Sequence, residues 1–302
     1  MPLAYGTIFL NKKGGNYEKS LFLLLMIGLS TVIWAEGWET SANIGLTMNQ
    51  QAYSDNWTGE ESGSISWIFG ADFLAEKQLM PLIHNKNTLK LAFGQTHNQF
   101  VDDQAEKYWA KPDKSTDLID LKSRLRFTLG AYVDPFVSAR LESQFIDKSG
   151  LETEIFNPNI LTEALGLSRV FIKTDESELT TSLGAAFKQY FDKNMDESTN
   201  DGGIEFIAEY NTPLFEKMVD YKSSLNLYQP LYYSESDSDA YLAMYDEDDW
   251  QTVRLDWQND LDIKLNSLIN LKLYFQMTYN KLEDEDLQYK ETLGLGLSYK
   301  LF

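Results

Sequence analysis

Thr292-Leu293-Gly294-Leu295-Gly296-Leu297-Ser298-Tyr299-Lys300-Leu301-Phe302 closes the chain. Leu293, Leu295, Leu297, Tyr299 and Leu301 fall on one face of a period-two pattern, and Gly, Ser and Lys fall on the other. Strict alternation over this length is the mark of a strand whose two faces meet different media. Phe302 falls one residue out of phase with the apolar face.

The same alternation recurs upstream. The spacing predicts strands over Thr40–Asn49, Ser64–Ala75, Thr88–Gln99, Asp117–Tyr132, Phe136–Phe145, Ala164–Lys173, Glu178–Phe191, Gly203–Tyr210, Val219–Tyr228, Trp250–Leu265 and Asn270–Asn280. With the terminal run these make about twelve strands of ~10 residues, the length that crosses a membrane as a tilted strand. The sixth run is the least regular. Arg169 follows Leu165 and Leu167 onto the apolar face, and a bulge near Ser168 would return it to the polar one.

Connections alternate in length. Val133–Pro135, Thr174–Ser177, Thr212–Met218 and Asn266–Ile269 are short. Gln51–Gly63, Val101–Lys114, Asp147–Leu161, Asp192–Gly202 and Tyr233–Asp249 are long and polar. Short periplasmic turns and long extracellular loops give this rhythm in a barrel with both ends in the periplasm. Glu76–Lys86 is long where a short turn is due, and Lys281–Leu287 is only medium. A soluble sandwich also alternates, but its strands are shorter and its apolar faces meet in a core.

The terminal strand with its final aromatic resembles the carboxy-terminal assembly signal of bacterial outer-membrane barrels. At the other end, Lys12, Lys13 and Lys19 precede an apolar run from Leu21 to Trp34, with Ala35 at a cleavage point. The run is short of the ~20 residues a spanning helix needs and reads as a secretory signal peptide. The expected organisation is a signal peptide over 1–35 and an all-β, closed antiparallel transmembrane barrel over 36–302, an up-and-down meander in the bacterial outer membrane.

Composition fits. Forty-six acidic against 26 basic residues give a formal charge of -20, which argues against nucleic acid as a partner. There is no Cys, so disulfides and thiolate metal sites are excluded. Outer-membrane lipid is the expected partner. No cofactor or metal motif is read. Asp237, Asp239, Asp246, Glu247, Asp248 and Asp249, and Asp196, Glu197 and Asp201, enrich two loops in carboxylates without calcium-loop spacing, and read as solvated loops.

The polar faces supply the candidate site. Lys122, Arg124, Arg126 and Arg140 come from the fourth and fifth runs; Glu205, Glu209, Arg254, Asp256, Asp260 and Asp262 come from the eighth and tenth. In a barrel of twelve strands the fourth and tenth stand on opposite walls, so these charges set a field across a narrow pore or pair with one another in a filled lumen. His84 is placed in a turn and His97 near the outer end of the third run; neither has a hydrolase motif around it. The expected function is non-enzymatic: a narrow channel for small polar solutes, or a structural barrel with binding loops. Two alternatives are a barrel subunit of a larger envelope complex, with its partner on the extracellular loops or the Glu76–Lys86 turn, and a lipid- or peptide-hydrolysing barrel using His97.

Asn56-Trp57-Thr58-Gly59, Lys114-Ser115-Thr116-Asp117-Leu118-Ile119-Asp120-Leu121 and Asn157-Pro158-Asn159-Ile160-Leu161-Thr162-Glu163-Ala164-Leu165-Gly166 resemble an uncharacterised family of bacterial outer-membrane barrels. In that family the Asn-Trp motif is commonly followed by paired glycines, whereas Glu60 follows Gly59 here. The resemblance implies an outer-membrane location and no activity.

Overall fold

A computed structural model describes residues 37–53, 63–102, 107–150, 152–195 and 198–300. The 1–35 segment, Asn56–Gly59, Asp196, Glu197 and Phe302 lie outside the described residues. Twelve long strands form one antiparallel sheet: β1 (Glu39–Gln51), β2 (Ser64–Met80), β3 (Ile83–Val101), β4 (Asp113–Phe127), β5 (Asp134–Ser143) and β6 (Asn159–Lys173) in the first half. The second half holds β7 (Glu178–Phe191), β8 (Thr199–Leu214), β9 (Val219–Tyr233), β10 (Arg254–Lys264), β11 (Ile269–Tyr279) and β12 (Gln288–Lys300). Each strand pairs with its sequence neighbours. The sheet closes where β12 meets β1, with Leu46 opposite Leu297 and Gly45 opposite Ser298. Closure satisfies every edge, which is the condition for a sheet in lipid.

Two parallel rows show how the alternation is used. Leu167, Leu183, Phe206, Leu227, Leu255 and Tyr279 lie side by side across β6 to β11. One residue along the same strands, Gly166, Gly184, Glu205, Tyr228 and Arg254 form the adjacent row on the other face. The first row belongs to the outer face: Leu167 is 50% exposed and Leu183 56%, and Leu293, Leu295 and Leu297 of β12 are similarly bare. Moving each such leucine from water into acyl chains contributes about 1.5–3 kcal/mol. The exposed apolar belt therefore has no protein core to cover it.

The strands run longer than their alternating centres suggest, and this removes one irregularity. Glu76–Lys86 is not a long connection: β2 continues to Met80 and β3 starts at Ile83, leaving only Pro81 and Leu82 in the turn. Glu76 pairs with Lys86 and Gln78 with His84 across this hairpin, so His84 lies in a strand rather than a turn. The opposite charges of Glu76 and Lys86 favour that register. Gln78 Nε2 donates to the Met80 carbonyl at 2.7 Å, and Thr128 N donates to the Leu82 carbonyl at 2.9 Å, fastening the tip to the end of β4. Leu79, Met80 and Leu82 stay exposed at this end.

The bulge of β6 also differs in place. Ser168, Arg169 and Val170 pair with Ser182, Thr181 and Thr180, and only then does the register skip Phe171, so that Ile172 meets Leu179. Arg169 therefore remains on the outer face with Leu165 and Leu167. On the opposite rim the long connections carry short elements of their own. Lys107–Trp109 pairs with the end of β3, Ile146–Asp147 pairs with Glu154–Ile155, and a helical turn forms at Asp239–Leu242.

Candidate functional site: the barrel lumen

Because β4 to β10 direct their even or odd positions inward in register, the charged faces converge on the axis. They do not fill it evenly. On the side of β5 to β9, Phe136, Ala164, Ala186 and Tyr228 make a buried cluster. Arg124 lies over the Phe136 ring at 3.9 Å and donates to Ser182 Oγ on β7 at 2.6 Å. Lys122 reaches Glu209 on β8 at 3.6 Å. These contacts link strands three and four places apart around the sheet, so they are chords across the lumen.

A second polar network in the lumen centres on Asp201. Asp201 is fully buried and accepts hydrogen bonds from Tyr228 Oη at 2.6 Å, Tyr190 Oη at 2.9 Å and Arg254 Nη1 at 2.6 Å. The ammonium of Lys188 caps the Tyr228 ring at 3.8 Å. Buried charges persist only when paired and hydrogen-bonded in this way.

The opposite arc is different. Gly45, Gly294, Gly296, Ser298, Thr47 and Asn49 present little bulk to the interior from β1 and β12. Asp72 on β2, Lys90 on β3 and Asp260 on β10 face inward yet remain exposed inside the closed sheet, and so does Lys222, at the edge of the packed side on β9. A cavity of about 250 Å³ opens here, lined by Thr47, Asn49, Ser66, Thr96, Thr116 and Lys290 among others. Lys290 Nζ donates to Thr116 Oγ1 at 3.4 Å, from β12 to β4, and both residues line this cavity. It has no carboxylate within ion-pair distance among the described residues. This cavity is lined by β1 to β4 and β12, away from the buried cluster on β5 to β9.

Each residue expected to line the lumen can be placed. Arg140 pairs with Asp120 at 2.9 Å and with Glu142 at 3.0 Å on its own wall. Arg126 approaches Asp134 at 3.9 Å. Glu205 accepts from Asn226 Nδ2 at 2.8 Å, and Asp256 accepts from Gln258 and Gln276. Asp262 accepts from Asn270 and lies 3.8 Å from Lys272. Asp260 has no cation within ion-pair distance among the described residues. Charge separation between walls is therefore largely cancelled by local pairs, and the exposed charges too are cross-strand neighbours of opposite sign, Asp72 beside Lys90 and Lys222 beside Asp260. Asp201 does not belong to the acidic loop as expected but to β8, where it pairs with Arg254. Asp72, Lys90, Lys188 and Asp120 share the inward phase, and the alternation alone would have marked them.

His97 is paired with Ile65 on the outer face, beside the exposed apolar residues, with no Ser or Asp side chain hydrogen-bonded to it among the described residues. His84 lies 3.9 Å from Glu76.

Among the described residues, the long connections are fastened to one another in pairs at two places. Asn157, fully buried beside Pro158, donates to Asp147 at 2.7 Å and Asp192 at 2.8 Å and accepts from Lys193 N at 2.8 Å. One amide thereby locks two loops together. Burial pushes the Asp147 carboxyl up, but hydrogen bonds from Ser149 and Asn157 outweigh it and hold it below the usual range. In the acidic loop, Asp249 pairs with Lys281 of the next loop and accepts from Asp246 N, and the Lys281 hydrogen bond is the main cause of its lowered carboxyl pKa. Tyr245 Oη donates to the Leu282 carbonyl at 2.7 Å across the same pair of loops. Among the described residues no three acidic, His or Cys side chains converge as a metal site.

Residues 32–148 match the family model of a protein of unknown function (DUF3078). Two of the three motif stretches lie inside that range; the one beginning at Asn157 lies beyond it. No curated protein matches. Among solved structures, the chain is similar to an outer membrane channel from Pseudomonas putida F1, at 11% identity and a TM-score of 0.42 over 88% of this chain and 96% of that one. It is similar to the translocator domain of the autotransporter NalP from Neisseria meningitidis, at 12% identity and 0.34 over 94% and 95%. It is also similar to OccK7 (OpdD) from Pseudomonas aeruginosa, at 9% identity and 0.25 over 87% and 98%. A closed sheet with an apolar belt outside and charges and water inside is the outer-membrane type. The chain is a closed, twelve-stranded β-barrel of the outer-membrane type whose residues 32–148 are similar to a family of unknown function.

Proposed function

We propose that the barrel is a narrow, non-enzymatic channel for small polar solutes. The observation that carries this reading is a set of inward charges that stay exposed, Asp72, Lys90 and Asp260 on β2, β3 and β10, while Phe136, Ala164, Ala186 and Tyr228 are buried together on the other side of the lumen. A solute on this path meets Lys290 and Thr116 in the cavity, then carboxylates and ammonium groups on facing walls. Such groups replace its hydration shell, which lowers the cost of leaving bulk water. The packed arc supplies rigidity and keeps the path narrow. We further propose that residues 1–35 act as a cleaved secretory signal.

Reconstitution in planar bilayers tests the channel. Wild-type protein should give small, discrete conductance steps. Lys290→Ala removes the ammonium that lines the cavity and should raise the step size, and Lys90→Glu should alter ion preference by reversing an exposed lumen charge. Correctly folded protein that leaves bilayers silent in both wild-type and Lys290→Ala forms would rule the channel out.

A further inference from the structure

We propose that Arg169 clamps the phosphate of a phospholipid in the leaflet at the short-turn end of the barrel. That end is the periplasmic one in barrels of this type. Arg169 shares the outer face of β6 with Leu165 and Leu167, which are 64% and 50% exposed. The bulge at Phe171 comes after it and so does not rotate it into the lumen. A guanidinium on a lipid-facing surface needs an anion, because acyl chains offer it none.

The protein supplies no such anion. Among the described residues Arg169 has no carboxylate within ion-pair distance, and its Nη1 is buried without a hydrogen-bond partner. What the protein supplies is a holder. The guanidinium carbon sits 3.3 Å from the ring centroid of Tyr132, in the turn after β4, and 4.7 Å from that of Phe171. Both rings are exposed on the same outer surface. Stacking against the two aromatic rings fixes the planar fork; with Nη1 covered, the Nε–Nη2 edge is the one that can make two parallel hydrogen bonds.

Depth selects the ligand. Arg169 lies four residues before the end of β6 at Lys173. On a tilted strand that is within reach of headgroups for a long side chain that extends toward water. A phosphodiester is the planar-fork partner present in quantity at that level, and its two unesterified oxygens match the bidentate geometry.

Native mass spectrometry of the folded barrel, titrated with dioleoylphosphatidylglycerol, tests this. Wild-type protein should retain one tightly held lipid. Arg169→Gln should weaken that site about tenfold, the effect of losing a charge-assisted hydrogen bond. Arg169→Lys, which keeps the charge without the fork, should fall between. Tyr132→Ala, in an exposed turn, should weaken it with the guanidinium intact. Dioleoylglycerol, which lacks the phosphate, should not occupy the site. Heat-modifiable migration establishes that each variant is folded. Equal lipid retention by wild type and Arg169→Gln would overturn the proposal. So would displacement of the lipid by millimolar inorganic phosphate, which would mark a soluble-anion site instead.

Discussion

Asp201→Ala is expected to destabilise the barrel by about 3–5 kcal/mol, the range for removing one partner of a buried ion pair. Asp201 is fully buried and takes three donors, Tyr228, Tyr190 and Arg254. Its loss strands the Arg254 guanidinium, whose side chain is only 12% exposed, and leaves two phenolic hydroxyls without their acceptor. Neither can turn to bulk water, because Phe136, Ala164 and Ala186 close the same arc. Asp201→Asn keeps an acceptor of the same shape but not the charge, and should lose less. Equilibrium urea unfolding in phospholipid vesicles reads both. An alanine variant as stable as wild type would mean that water already fills this region, and the packed arc would have to be abandoned.

The second large effect is steric. Gly166 on β6 and Gly184 on β7 face each other in register. A Cβ on Gly166 would lie 2.3 Å from the Leu183 carbonyl oxygen and 2.5 Å from Gly184 Cα; a Cβ on Gly184 would lie 2.4 Å from the Leu165 carbonyl oxygen. Every one of these neighbours is backbone and cannot turn aside. Gly166→Val should prevent β6 and β7 from pairing in this register, so that the sheet does not close and the compact, heat-modifiable band disappears from gels. Gly70 is the comparison: its nearest neighbour would be 3.9 Å away, and Gly70→Ala should fold normally. A Gly166→Val protein with wild-type migration would show that the two strands have room to separate.

The central part of nearly every strand is readable from alternation because lipid and a wet lumen impose opposite demands on successive residues. Strand ends are less readable. Beyond the lipid belt neither face has to be apolar, so Glu76–Lys86, with Leu79, Met80, Leu82 and Ile83 in mixed phase, resembles a loop while forming a tight hairpin. The bulge in β6 shows a related limit. Val170 and Ile172 are apolar on one phase and Phe171 on the other, so periodicity signals an irregularity without fixing its residue.

Candidate lumen residues were legible as a face, not as partners. Period two says that Lys122 and Glu209 point inward; only closure of the sheet brings strands four places apart within ion-pair distance. Asp201 was hidden for another reason. Asn200-Asp201-Gly202-Gly203 has the chemistry of a turn, yet it runs as β8 because Asp201 is drawn into the Arg254 network. Asn157 stands out in the sequence as part of a motif; its reason is a buried amide bonded to two loops, which no spacing reveals.

Everything rests on which face meets lipid. The chain contains no Cys, so single cysteines can be placed at Asp260 and Lys90 for the charged face, and at Leu295 and Leu183 for the apolar one. A membrane-impermeant, charged thiol reagent applied to the protein in liposomes should modify Asp260→Cys and Lys90→Cys readily and leave Leu295→Cys and Leu183→Cys unmodified until the protein is denatured. Rapid modification of the leucine positions with protection of Asp260→Cys and Lys90→Cys would contradict the account directly.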